Sequence, residues 1–150
     1  MSSETSAPPG PCTVLLVEDN PTDVFVIREA IEASGLDLKI RIAGDGQEAL
    51  WYLQDLAGNE NVSCPALVLL DLNLPKVDGI EVLRQLRGGS RCSRTPVVVV
   101  TSSTAEEDRA AVLRLGAESY FQKPNTLAAY KELAQVIKRL LRPSEETHQS

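Results

Sequence analysis

The chain has 150 residues, 43% of them hydrophobic and 24% charged, with a formal net charge of −6. That length suits one domain with a sizeable core. The acidic balance, with no basic stripe, argues against nucleic acid as a partner, and no apolar run approaches the roughly 20 residues needed to cross a bilayer.

Residues 1–11 are rich in Ser and Pro, with one Glu and neither the basic nor the apolar region of a signal peptide. They read as a disordered leader on a cytosolic chain. Strand one is expected at about Thr13 to Val17. Helix one follows, with Asn20 as N-cap, Pro21 at the first helical position and Val24, Ile27 and Ile31 on one face. Gly35 ends it, and strand two covers about Leu38 to Ala43. Helix two starts at Asp45, with Glu48 completing a capping-box-like pair. Its buried stripe is Ala49, Leu50, Leu53, Leu56 and Ala57, and Trp51 is expected to pack.

The polar loop 58–65 leads to strand three, Ala66 to Leu70. Helix three begins near Asp78 and buries Val82, Leu83 and Leu86. Strand four is Pro96 to Val100. Helix four follows Thr104, paired with Glu107, and stops near Gly116. Strand five is short, about Ser119 to Phe121. Helix five runs from about Thr126 to Leu141, and Pro143 opens a polar tail, 143–150, expected to be disordered.

Strict alternation of strand and helix predicts right-handed crossovers and a doubly wound parallel α/β sheet covered on both faces. For five strands and five helices, the flavodoxin-like order 2-1-3-4-5 is expected over residues 12–142, leaving no length for a second domain. Cys12, Cys64 and Cys92 are far apart, odd in number and without a nearby histidine. They read as free thiols, with neither a zinc site nor a disulfide. The sole histidine, His148, lies in the tail.

In such a sheet, ligands bind outside the carboxyl ends of the strands. Strand one ends in Glu18 and Asp19, strand three in Asp71, strand four in Thr101 and Ser102, and strand five in Lys123-Pro124. Three carboxylates in one crevice stay ionised together only with a compensating cation. All the candidate donors are oxygens, which favours a hard ion such as Mg²⁺ that keeps waters and binds phosphate oxygens. Lys123 adds a compact positive charge and Thr101 a hydroxyl donor. With no Ser elbow and no Cys–His pair, the nucleophile left is a carboxylate, and Asp71 is central in the sheet.

Glu18-Asp19-Asn20, Asp71 within LVLLDLNLPKVDG, Thr101-Ser102-Ser103 and GAESYFQKP ending at Lys123-Pro124 together resemble the receiver domains of two-component response regulators. The resemblance implies that Asp71 is the phosphoacceptor. It implies that Asp19, Asp71 and the Asn73 backbone carbonyl ligate Mg²⁺ (or Mn²⁺), with Glu18 supporting the metal. Thr101, Ser102 and Lys123 would meet phosphoryl oxygens, Pro75 and Gly79 would shape the loop, and Lys123-Pro124 would be cis. Thr101 would move toward the phosphoryl group and Tyr120 would turn inward, remodelling the face of helix four, strand five and helix five.

The implied partner is a sensor histidine kinase, with a downstream protein the sequence does not identify. The helix-one opening, the GDGQEALWYL helix and the loop before Cys64 resemble stand-alone regulators paired with phytochrome-type kinases, for which a homodimer is also compatible. Such a protein is not a turnover enzyme. The alternative is a small Mg²⁺-dependent phosphohydrolase with an aspartate nucleophile, like the haloacid-dehalogenase phosphatases. Those carry a second Asp two residues after the nucleophile, where this chain has Asn73.

Overall fold

The computed structural model describes residues 12–89 and 91–141. The expected disordered leader and tail lie outside the described residues. The chain alternates β1 (Cys12–Val17), α1 (Pro21–Ala33), β2 (Leu38–Ala43), α2 (Gly46–Ala57), β3 (Leu67–Leu70), α3 (Gly79–Gly88), β4 (Val97–Thr101), α4 (Glu106–Arg114), β5 (Ser119–Gln122) and α5 (Lys131–Leu141). The strands form one sheet in the order β2-β1-β3-β4-β5, every neighbouring pair parallel. The flavodoxin-like α/β reading therefore stands.

The sheet divides two apolar layers because alternate residues of each strand point to opposite faces. Leu15, Val17, Val68, Leu70, Val97 and Val99 pack with α2 and α3. Val14, Leu16, Leu67, Leu69, Val98 and Val100 pack with α1 and α5. The central strands, buried on both sides, are apolar for that reason, save Thr101 at the end of β4. Their polar ends are left at the sheet edge.

Helix starts are set by side-chain caps. Asn20 Oδ1 accepts the Thr22 and Asp23 N–H groups, Asp45 accepts from Glu48, and Asp78 from Glu81. The Glu48 carboxylate reaches back to the Gly44 N–H, a capping box displaced by one residue. Gly35 and Gly116, with φ of 76° and 97°, end α1 and the α4 region in the left-handed conformation.

Four sequence expectations are corrected. Helix four is capped by neither Thr104 nor Glu107: its N-cap is Ala105, which has no side-chain acceptor to offer. The Ser103 hydroxyl accepts the Ala105 N–H instead. Helix five opens as a 3-10 turn, Ala128–Tyr130, before becoming α-helical at Lys131. Trp51 is 58% exposed on the outer side of α2, and Ala57, expected in the buried stripe, is exposed at the end of the same helix. No cis peptide bond occurs among the described residues, so Lys123-Pro124 is trans.

A fifth correction concerns the thiols. Cys64 and Cys92 form a disulfide with a Cα–Cα distance of 5.7 Å; Cys12 alone is free. Sequence distance concealed the pairing, but β3 and β4 are adjacent and parallel, so the loops that enter them lie side by side. Arg91 braces the same region: its guanidinium donates to the carbonyls of Leu56, Asn59 (2.8 Å) and Val62. The bridge closes a sequence separation of 28 residues. Its reduction should cost about 3.5 kcal/mol, the loop-closure contribution for that length. Denaturant melts with and without dithiothreitol check this. Cys64→Ser should lower the midpoint by the same amount and abolish the response to reductant.

Candidate functional site

The carboxyl ends of β1, β3, β4 and β5 bring the expected polar residues together. Lys123 sits just beyond β5, its backbone N–H bonded to the Thr101 carbonyl at 2.8 Å, which fixes the direction of the side chain. Its ammonium meets three carboxylates: Asp71 Oδ2 at 2.9 Å, Glu18 Oε1 at 2.8 Å and Asp23 Oδ2 at 2.7 Å. An ammonium has three N–H donors, and three anions surround this one.

Burial makes the cluster electrostatically strong. The side chains of Lys123, Glu18 and Asp71 are 8%, 1% and 6% exposed. Burial pushes the Glu18 carboxyl up to about 7; Lys123 pulls it down, and Asp71 adds to the rise. For Lys123, burial lowers basicity, but the three carboxylates around it, Asp23 and Asp71 accepting its hydrogen bonds and Glu18 in an ion pair, outweigh that and hold its pKa above the usual lysine value. The lysine is a fixed cation.

Glu18, Asp19 and Asp71 each offer an oxygen within 4.8 Å of the others. Glu18 and Asp71 are buried and Asp19 is exposed, so the cluster opens to solvent on the Asp19 side. Glu18 Oε1 is buried and, despite its ion pair with Lys123, lacks an aligned hydrogen bond. An incompletely satisfied buried carboxylate oxygen beside two more carboxylates fits a hard divalent cation. Asn73 is exposed next to this opening and donates its N–H to Asp71 Oδ1 at 3.2 Å, orienting that carboxylate.

The surrounding loop is shaped by close packing. Gly79, the first residue of α3, donates its N–H to the Leu72 carbonyl at 3.0 Å. The Pro75 carbonyl accepts from Val77 at 2.8 Å and from Gly46 at 3.4 Å, tying this loop to the start of α2. Thr101 is fully buried, its hydroxyl accepting the Ser103 N–H. Ser102 is exposed. Tyr120, half-buried on β5, donates its hydroxyl to the Ser103 carbonyl at 2.8 Å, and the Arg109 guanidinium lies 5.5 Å from its ring centre. The Ser103 hydroxyl also contacts Asp108 Oδ2 at 2.7 Å. The β4–α4 loop is thus held in one arrangement by Thr101, Ser103, Asp108 and Tyr120.

Sequence reasoning missed Asp23. It stands in the first turn of α1, four residues after Asp19, where an acid reads simply as a partner for the helix dipole. One turn of helix after the acidic pair returns it to the same crevice.

The profile of the response regulator receiver domain matches residues 14–138. The chain belongs to that family. Response regulator Rcp1 of Synechocystis sp. is 38% identical over 137 residues, covering 91% of each chain. The crystal structure of the Mn²⁺-bound form of Rcp1 superposes with a TM-score of 0.76 at 38% identity, covering 86% of this chain and 93% of that one. That of the phosphorylated cyanobacterial phytochrome response regulator RcpA gives 0.77 at 35% identity, covering 87% and 94%. Receiver domains take a phosphoryl group from sensor histidine kinases, and the oxygen-only cluster Glu18, Asp19 and Asp71 fits the divalent-metal site of such domains. No helix among the described residues is long and apolar enough to cross a membrane.

Proposed function

We propose that Asp71 is the phosphoacceptor of this receiver domain. A carboxylate oxygen of Asp71 forms the new P–O bond as the P–N bond of a kinase phosphohistidine, protonated on its other ring nitrogen, breaks, leaving an aspartyl phosphate on this chain and neutral imidazole on the kinase. The observation that carries the reading is the Asp71 carboxylate at the centre of the sheet edge, held by Lys123 on one oxygen and by the Asn73 N–H on the other. The nucleophile is oriented on both sides.

Glu18, Asp19, Asp71 and the Asn73 carbonyl would hold Mg²⁺ or Mn²⁺, which would neutralise phosphoryl oxygens. Lys123 meets an equatorial oxygen of the incoming group, and Thr101 and Ser102 supply hydroxyl donors. Thr101 can leave its bond with the Ser103 N–H for the phosphoryl group, and Tyr120, released from the Ser103 carbonyl, can follow it inward. That exchange biases the surface of α4, β5 and α5 toward a second arrangement that a partner reads. Pro75, Gly79 and Pro124 serve the backbone. The Rcp1 and phytochrome-regulator likenesses favour a phytochrome-type kinase as donor. The chain is consumed and restored once per phosphoryl group, and so acts as a signalling protein of the cell interior rather than a turnover enzyme.

Incubation with acetyl phosphate and Mg²⁺ tests this by intact mass. The expected result is a single phosphoryl adduct, labile to hydroxylamine, mapped to Asp71 and missing from Asp71→Asn. An adduct that persists in Asp71→Asn, or none in the native chain, rejects it.

A further inference from the structure

We infer that Asp23 is a positioning residue for phosphoryl transfer: in the resting protein it competes with the incoming phosphoryl group for the Lys123 ammonium. The inference rests on Asp71 as acceptor and Lys123 as phosphoryl ligand, and adds a residue to neither role.

The geometry gives the reason. Asp23 Oδ2 is 2.7 Å from Lys123 Nζ, with Glu18 at 2.8 Å and Asp71 at 2.9 Å. The ammonium donates to Asp23 and Asp71, and Glu18 closes its third side as an ion pair, so a phosphoryl oxygen can be bound only as one carboxylate gives up its place. Glu18 is almost wholly buried and cannot turn to water, whereas the Asp23 side chain is 27% exposed. Asp23 is therefore the anion that releases the lysine at least cost. It is also rigidly based, its N–H held by the Asn20 cap at 3.1 Å.

Asp23 has a second consequence. By drawing positive charge toward the rim, it lessens the hold of Lys123 on Glu18 and Asp71, the residues that fit a divalent cation. Removing the Asp23 charge should leave the lysine more fully on those two carboxylates. The two effects have opposite signs: a divalent ion should bind less well and a phosphoryl-like anion better.

Asp23→Asn is the test, because it keeps the size of the side chain at a partly exposed helical position. Mg²⁺ affinity, measured by titration without any phosphodonor, should fall about three- to tenfold, the range for one partly screened charge at close quarters. Beryllofluoride, an inorganic mimic of the phosphoryl group, should bind about three- to tenfold more tightly at saturating Mg²⁺, for the same reason. In a Lys123→Met background, the gain in beryllofluoride affinity should shrink to less than half. A purely structural role for Asp23 does not move the two affinities in opposite directions. Both affinities unchanged in Asp23→Asn, both moving the same way, or an undiminished gain in the Lys123→Met background overturns the inference. Failure of the native protein to bind beryllofluoride overturns the phosphoacceptor reading as well, so the two failures are distinct.

Discussion

Lys123→Met is expected to destabilise the metal-free protein by about 3 kcal/mol, the usual cost of removing one partner from a buried ion pair. Methionine keeps most of the apolar stem and deletes only the ammonium. What remains is Glu18 and Asp71, 1% and 6% exposed, with no compensating cation. Glu18 is already pushed up to about 7 with the lysine beside it. Without the lysine it rises further and takes up a proton at neutral pH, which limits the loss. The same change should strengthen Mg²⁺ binding, by about tenfold, because a positive charge leaves the neighbourhood of the ligating oxygens. Urea melts in chelator and in excess Mg²⁺ measure both effects, since metal bound to the native state adds stability by mass action. The variant should be weaker than the native chain in chelator and recover most of the difference in Mg²⁺. Equal stability in chelator would show that the lysine does not hold the acidic cluster together.

The same pair of charges shows what a sequence can and cannot announce. Asp71 and Glu18 end apolar strands, so the period-free hydrophobic runs of β1 and β3 place them at the sheet edge without further information. Lys123 follows a fifth strand in the same way. These positions are set by local order along the chain and by the right-handed crossover. Asp23 is different, because its partner lies 100 residues away and its own surroundings look like an ordinary first turn. Cys64 and Cys92 carried a usable signal. Each lies shortly before a central strand, and adjacent parallel strands are entered from the same edge of the sheet, so the two loops had to be neighbours. Reading the cysteines by spacing alone, without asking which strands they precede, hid the bridge. The start of α4 was misread for a related reason: Thr104 and Glu107 have capping-box spacing, but Ser103 is already turned toward Ala105 and Asp108 by the loop that Thr101 and Tyr120 hold. Tertiary contacts there override a local motif.

Gly79→Ala should be strongly damaging for a single added methyl group. A Cβ at Gly79 would stand 2.2 Å from the Asp71 carbonyl oxygen and 2.7 Å from the Leu72 Cα. Both neighbours are backbone, so no side chain can swing aside, and the start of α3 must move away from the end of β3. Overpacking of this kind costs about 3 kcal/mol or more. The displaced backbone is that of Asp71 itself, which couples stability to chemistry. A shift near 1 Å in a nucleophile costs about a hundredfold in rate, so phosphoryl uptake from acetyl phosphate should fall by that order even in the fraction that remains folded. Gly88→Ala is the control, since a Cβ there meets nothing within 4 Å and the position is helical. It should be neutral or stabilising by up to about 1 kcal/mol, the helix preference of alanine over glycine. Denaturant melts and single-turnover uptake of the two variants, side by side, separate the close approach from a general intolerance of side chains in α3. If Gly79→Ala took up phosphoryl at the native rate, the tight apposition of α3 and β3 would not be what holds the acceptor in place.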